Sequence, residues 1–196
     1  MKNFLTIAFL LLMATGSRAQ FIEDLQQDYD YEFRSLQEAL RDPDAVYYLR
    51  LNVKKGEIPP EVFTLTNLRS LTLKKGKITQ IPAEISALVH LEKLDLTQNK
   101  LERFPEEVIG LPQLRILKLG KNPISRLPDE MVNMQKLEVL DLWSTRVSRF
   151  PVAIEKMSSL REVDLRMVEV DRDEQSWLKE ALPNVNFHFS APCDCR

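Results

Sequence analysis

The chain is poor in the residues that build cofactor and metal sites. Its 196 residues include two cysteines, two histidines and five glycines. Both cysteines, Cys193 and Cys195, stand at the extreme end, which excludes a disulfide scaffold and a Cys-rich zinc module. Five glycines leave little for a phosphate-cradling loop, and no G-x-S-x-G or H-E-x-x-H motif occurs. An excess of one charge is lacking too: 27 basic residues face 29 acidic ones, for a net charge of −2. A nucleic-acid-binding domain would show a basic excess. No apolar run reaches eighteen residues, so no membrane-spanning helix is expected.

What is abundant is leucine, and the chain opens on an apolar run. Phe4 to Ala14 (FLTIAFLLLMA) follows Lys2 and precedes the small residues Ser17 and Ala19. That is the pattern of a cleaved secretory signal over residues 1–19, with cleavage before Gln20. The expectation is a mature protein that is secreted or periplasmic, without a membrane anchor. Removal of Lys2 and Arg18 takes the net charge from −2 to −4.

Self-comparison shows a 23-residue repeat. Pro59, Pro82, Pro105, Pro128 and Pro151 recur at that spacing, as do Leu68, Leu91, Leu114, Leu137 and Leu160. The clearest copies are LEKLDLTQNKLERFPEEVIGLPQ (Leu91 to Gln113) and LRILKLGKNPISRLPDEMVNMQK (Leu114 to Lys136). In L-x-x-L-x-L the last two leucines alternate, which is strand periodicity with one face inward. Ile81, Ile85 and Leu88 then follow at helical spacing, with proline opening a short helical or 3₁₀ segment. One such unit cannot bury its apolar face alone, so several must stack.

On these residues the chain resembles a leucine-rich repeat protein, with the 23-residue Leu-Pro repeat of the Ras-binding-scaffold subclass. Its leader and C-x-C tail resemble small secreted bacterial members. The resemblance implies an α/β solenoid with a concave parallel sheet. Extending the pattern through Leu49 and Leu51 at one end, and Leu182, Val185 and Phe187 at the other, gives seven strands. Residues 46–170 form the repeats. Residues 20–45 form an N-terminal cap, with a Ser35-x-x-Glu38 capping box opening a helix and Tyr31 and Phe33 covering the first repeat. Residues 171–196 form a C-terminal cap, with a helix over Asp173 to Leu182 that turns Trp177, Leu178 and Ala181 inward. Asn99 and Asn122 are the bridging asparagines of adjacent turns. Thr145 substitutes in part, and Val168 marks where the regular path ends.

Outward strand positions define the candidate site. Ile116, Val139 and Trp143 fall next to one another and form an apolar patch. Lys118 lies toward one side and the acids Asp141, Glu162 and Asp164 toward the other, while Arg166 is placed to stack on the Trp143 ring. An exposed Trp in a small apolar patch with a charge-divided rim has the composition of a protein-binding hot spot. The expected function is non-enzymatic binding of a protein partner on the concave face, with no nucleic acid, metal or cofactor. The rivals are a carbohydrate or anionic polymer held at a basic corner (Lys54, Lys55, Lys74, Lys75, Lys77), a hydrolase using Asp141, Glu162, Asp164 and His188, and a structural envelope component. The acidic pairs Glu106-Glu107 and Asp129-Glu130 follow repeat prolines and belong on the convex side, facing water. His188 with Cys193 and Cys195 makes a poor metal set, because only one His is near. The cysteines are left as a strained C-x-C ring, an intermolecular pair or free thiols.

Overall fold

A computed structural model describes residues 31–190. The expected leader and the C-x-C tail therefore lie outside the described residues. Seven parallel strands pair in chain order in one sheet. They are β1 (Tyr48–Arg50), β2 (Ser70–Thr72), β3 (Lys93–Asp95), β4 (Ile116–Lys118), β5 (Val139–Asp141), β6 (Glu162–Leu165) and β7 (Asn186–Phe189). Each is three or four residues long because the repeat leaves only the L-x-L stretch extended. The central residues stack in register as Leu49, Leu71, Leu94, Leu117, Leu140, Val163 and Phe187. All but Phe187 are fully buried.

Short 3₁₀ segments return the chain on the other side of the core. Each is closed by a bond from the third residue after the repeat proline back to that proline's carbonyl: Val62 to Pro59, Ile85 to Pro82, Val108 to Pro105, Met131 to Pro128 and Ile154 to Pro151. Proline donates nothing, so a segment start, where the first N–H groups lack internal partners, suits it. Glu106, Glu107, Asp129 and Glu130 sit in the first turns of these segments and are exposed, as expected.

The asparagines form the ladder foreseen for them. Asn99 Oδ1 accepts from Gly76 N at 2.9 Å and Ile78 N at 3.1 Å, while its amide donates to the carbonyls of Leu73 and Leu96. Asn122 donates to Leu96 O and Leu119 O and accepts from Leu101 N. Thr145 fails the role, because its hydroxyl is buried without a hydrogen-bond partner. Thr145→Asn would bring an amide to the Leu119 and Leu142 carbonyls by analogy with Asn122. It should raise stability by about 1 kcal/mol, seen as a rise of roughly 2–4 °C in the thermal midpoint; an unchanged midpoint would show that the pocket cannot admit the amide.

The residue before each equivalent repeat position (76, 99, 122, 145 and 168) is left-handed: Lys75, Gln98, Lys121, Ser144 and Met167 have φ of 55–61°. Lys55 and Lys77 share that conformation. A non-glycine residue held there costs roughly 1–2 kcal/mol. Nothing in the leucine pattern signals it.

A helix stands at each end of the described array. Helix α1 (Leu36–Ala39) opens on Ser35, whose hydroxyl accepts from Glu38 N. Phe33 adds a parallel bridge to Leu49, but Tyr31 is 75% exposed and covers nothing. Helix α2 (Arg172–Ala181) buries Leu178, whereas Trp177 and Ala181 are half-buried. The sequence reading missed Glu174, buried on the same helix. Glu174 Oε1 accepts from Phe150 N and Oε2 from Arg149, and Arg149 also reaches Asp171, each at 2.8 Å. A charge-assisted network thus pins α2 to the preceding repeat.

The last strand is shifted by two residues from the expected register. Asn186 pairs with Glu162 and His188 with Asp164, whereas the Leu182, Val185, Phe187 extension of the pattern puts Asn184 and Asn186 in those places. The crossover containing α2 consumes more chain than a 3₁₀ return, so Phe187 and Phe189, not Val185 and Phe187, follow the core positions Val163 and Leu165. The two rings stack at 5.7 Å.

Candidate functional site

The open face of the sheet carries three rows of side chains. The first runs Tyr48, Ser70, Lys93, Ile116, Val139, Glu162 and Asn186, and the second Arg50, Thr72, Asp95, Lys118, Asp141, Asp164 and His188. The third passes through Thr97, Gly120, Trp143 and Arg166, whose carbonyls accept in turn from Lys75, Gln98, Lys121 and Ser144.

The expected exposed patch is not there. Ile116 is 0% exposed and Val139 4%. Both occupy the predicted row, yet they lie between parallel strands and are flanked in that row by the longer Lys93 and Glu162. Short apolar groups sunk between long ones offer no surface. Trp143 is half-buried. Its ring is covered by Lys121, with Nζ 4.3 Å from the centroid, and not by Arg166. The exposed apolar side chain beside this row is Met167, one position past Arg166 and 65% exposed.

The acids have a local duty that the sequence reading overlooked. Asp95 Oδ1 accepts from Thr97 N, Asp141 Oδ1 from Trp143 N and Asp164 Oδ1 from Arg166 N, at 2.9–3.0 Å. Each makes an Asx-type turn, at the last residue of β3 and β5 and the last but one of β6, in which a short carboxylate binds the backbone two residues on. The recurring D-L-x at 95, 141 and 164 was the available signal. Asp95 Oδ2 is further held by Lys74 at 2.9 Å, and Asp164 Oδ2 by Arg166 at 2.5 Å. Burial pushes Asp164 up, but the bonds from the Arg166 side chain and backbone outweigh it and hold the carboxyl below its usual range. At Asp141 burial dominates, and the neighbouring Asp164 adds to it, so its pKa is raised despite the Trp143 N–H and Lys118. Asp141 Oδ2 has no hydrogen-bond partner among the described residues. A Cβ at position 120 would lie 3.0 Å from Asp141 Oδ1, so Gly120 gives this carboxylate its room.

Glu162 Oε1 lies 3.2 Å from His188 Nε2, and Asn186 Nδ2 approaches the same nitrogen at 3.2 Å. The structure therefore does bring Asp141, Asp164, Glu162 and His188 to one end of the sheet. Among the described residues, no group of three or more His, Cys, Asp or Glu is placed to hold a metal, and no helix is long and apolar enough to cross a membrane.

A ladder of alternating charge at positions 69, 92, 115, 138 and 161 also escaped notice. It reads Arg, Glu, Arg, Glu, Arg, with Arg115 meeting the buried Glu138 at 2.6 Å and Arg69 meeting Glu92 at 3.5 Å. Opposite charges just before neighbouring strands favour this register.

A family model described as a leucine-rich repeat region matches residues 49–187. The chain belongs to the leucine-rich repeat family. Among solved structures, it is similar to a leucine-rich repeat protein of Leptospira interrogans at 30% identity and a TM-score of 0.64, covering 74% of this chain and 36% of that one. This repeat array therefore spans about a third of that protein's length. It also resembles an internalin of Listeria monocytogenes (17% identity, TM-score 0.58, covering 83% of this chain and 54% of that one). Internalin C2 of the same organism is similar at 19% identity and a TM-score of 0.61, covering 81% of this chain and 67% of that one. At these identities the internalins share the leucine-rich repeat fold alone. No curated protein matches the chain significantly.

Proposed function

We propose that this leucine-rich repeat protein is an exported, non-enzymatic module that binds a protein partner on the open sheet face around β5. The carrying observation is Asp141 beside Trp143: a carboxylate with one oxygen free of hydrogen bonds next to a half-buried indole, on a face where Asp95, Asp164 and Glu162 already have Lys74, Arg166 and His188 beside them. The fitting partner places a cation against Asp141 and an apolar group against the ring and Met167. Lys118, Glu162, Asp164 and Arg166 make the polar rim, while Ile116 and Val139 serve as its floor and not as contact surface. A hydrolytic role for the acids is disfavoured because Asp141 and Asp164 each spend an oxygen on the backbone, and Asp164 spends the other on Arg166.

Trp143→Ala tests the reading. The Trp143 bonds to Asp141 and Lys121 are made by its backbone and survive the change. Affinity for the partner, recovered by crosslinking in the native host, should fall by about 2 kcal/mol or more, with the thermal midpoint nearly unchanged. A large loss of stability with unaltered binding would make Trp143 a structural residue.

Export rests on the leader. N-terminal sequencing of the mature protein should begin at Gln20, and secreted material still starting at Met1 would refute it. The leader and the Leu-Pro repeat together favour a secreted bacterial member of the Ras-binding-scaffold repeat subclass.

A further inference from the structure

The turns that leave the first three strands carry a second surface. Lys54, Lys55, Lys75, Lys77 and Lys100 are all exposed there; Lys121, in the next turn, is engaged with Trp143. Consecutive turns bring them to one edge. A Cβ on Gly56 would stand 2.6 Å from the Lys77 carbonyl oxygen, so the first two turns touch. Lys100 N donates to Ile78 O at 2.8 Å and so follows Lys77 in the same row. Lys74 belongs to the same stretch but is spent on Asp95. Only Glu57 and Glu102 oppose the five lysines among the neighbouring turn residues.

This edge carries two costs with no structural return. Lys55, Lys75 and Lys77 are three of the seven left-handed non-glycine residues among those described. Asparagine or glycine fits that backbone better. Like charges set side by side on neighbouring turns also repel. A chain selected for stability alone would carry neither, and both are met by the ligand that five point charges attract.

We propose that this lysine edge binds an anionic polysaccharide, as a site distinct from the open sheet face. The adjacent turns are spaced at about 4.8 Å, matched to a linear polymer with charges at regular intervals. The alternatives fit less well. Residues 52–57, 74–79 and 97–102 contain no aromatic side chain on which bases could stack. They contain no arginine for bidentate phosphate contacts either. Val53 is only half-buried, but Gly76 packs against it, so no apolar group is left to enter a lipid surface.

The test uses the full chain with heparin and polygalacturonate as polyanions and poly(dT) as the nucleic-acid arm. Wild-type protein should bind both glycans in a steeply salt-dependent way. The triple variant Lys55→Asn, Lys75→Asn, Lys77→Asn removes three charges while suiting the left-handed backbone. Its glycan affinity should fall roughly tenfold or more at low salt, with a flatter salt dependence, and its thermal midpoint should equal or exceed that of wild type. Lys54→Gln with Lys100→Gln, which touches no left-handed residue, should weaken binding in the same direction. Arginine at 55, 75 and 77 should preserve it. Undiminished glycan binding by both neutralised variants, or loss of binding in the arginine variant, would overturn the proposal. So would tighter binding of poly(dT) than of either glycan, which would assign the edge to nucleic acid.

Discussion

Leu117→Ala should lower the stability of the repeat array by about 2–5 kcal/mol. Leu117 is fully buried at the centre of β4, with Leu94 and Leu140 as its register neighbours. The middle of the array has a repeat on each side, so neither end can relax into the cavity. Because repeats fold through their interfaces, the loss should appear as one lowered urea midpoint for the whole array. Val152→Ala is the control. That side chain is 78% exposed, and its removal should change stability by no more than about 0.5 kcal/mol. A Leu117→Ala midpoint equal to wild type would mean that the inward face has been misassigned.

Asn99→Ala should cost about 3 kcal/mol or more, because each buried polar group left unpaired costs about 1–3 kcal/mol. The side chain of Asn99 serves two N–H groups and two carbonyls drawn from adjacent turns. Alanine leaves Gly76 N, Ile78 N and Leu73 O without that bond in a place that water does not reach, while Leu96 O keeps the amide of Asn122. Asn99→Asp separates the halves of the effect: it keeps acceptors for Gly76 and Ile78, but turns a carboxylate toward the carbonyls of Leu73 and Leu96. Chemical denaturation should place Asp between Asn and Ala or below both. Asn133→Ala, at an exposed asparagine in a 3₁₀ segment, should be nearly silent. A mild effect of Asn99→Ala would show that the turns close without the ladder.

The core was legible because it obeys one rule many times. A leucine at 94, 117 or 140 points inward whatever lies beside it, since extended backbone alternates its side chains and only one face has somewhere dry to go. Asn99 and Asn122 were legible for a similar reason: their place in the repeat puts an amide where two turns need donors and acceptors. The candidate site was legible only as a set of positions. Ile116 and Val139 were placed in the correct row, but their exposure depended on Lys93 and Glu162, which stand beside them from other repeats. Asp141 and Asp164 read as free acids, although each binds its own backbone two residues on. Lys121, not Arg166, covers Trp143, because Arg166 is drawn to Asp164 by a charge-assisted bond.

The sequence by itself determined the number of strands, their parallel order, the inward leucines and the prolines that start each return segment. Those follow from local geometry and the hydrophobic effect acting identically in every 23-residue unit. The tertiary structure alone decided the register of β7, the burial of Glu174 and which outward residues keep a surface. Register at β7 turns on how much chain α2 consumes, and Glu174 is buried because Arg149 and Phe150 N meet it there. Exposure on the sheet is set by the lengths and pairings of side chains about 4.8 Å away that are a full repeat distant along the chain.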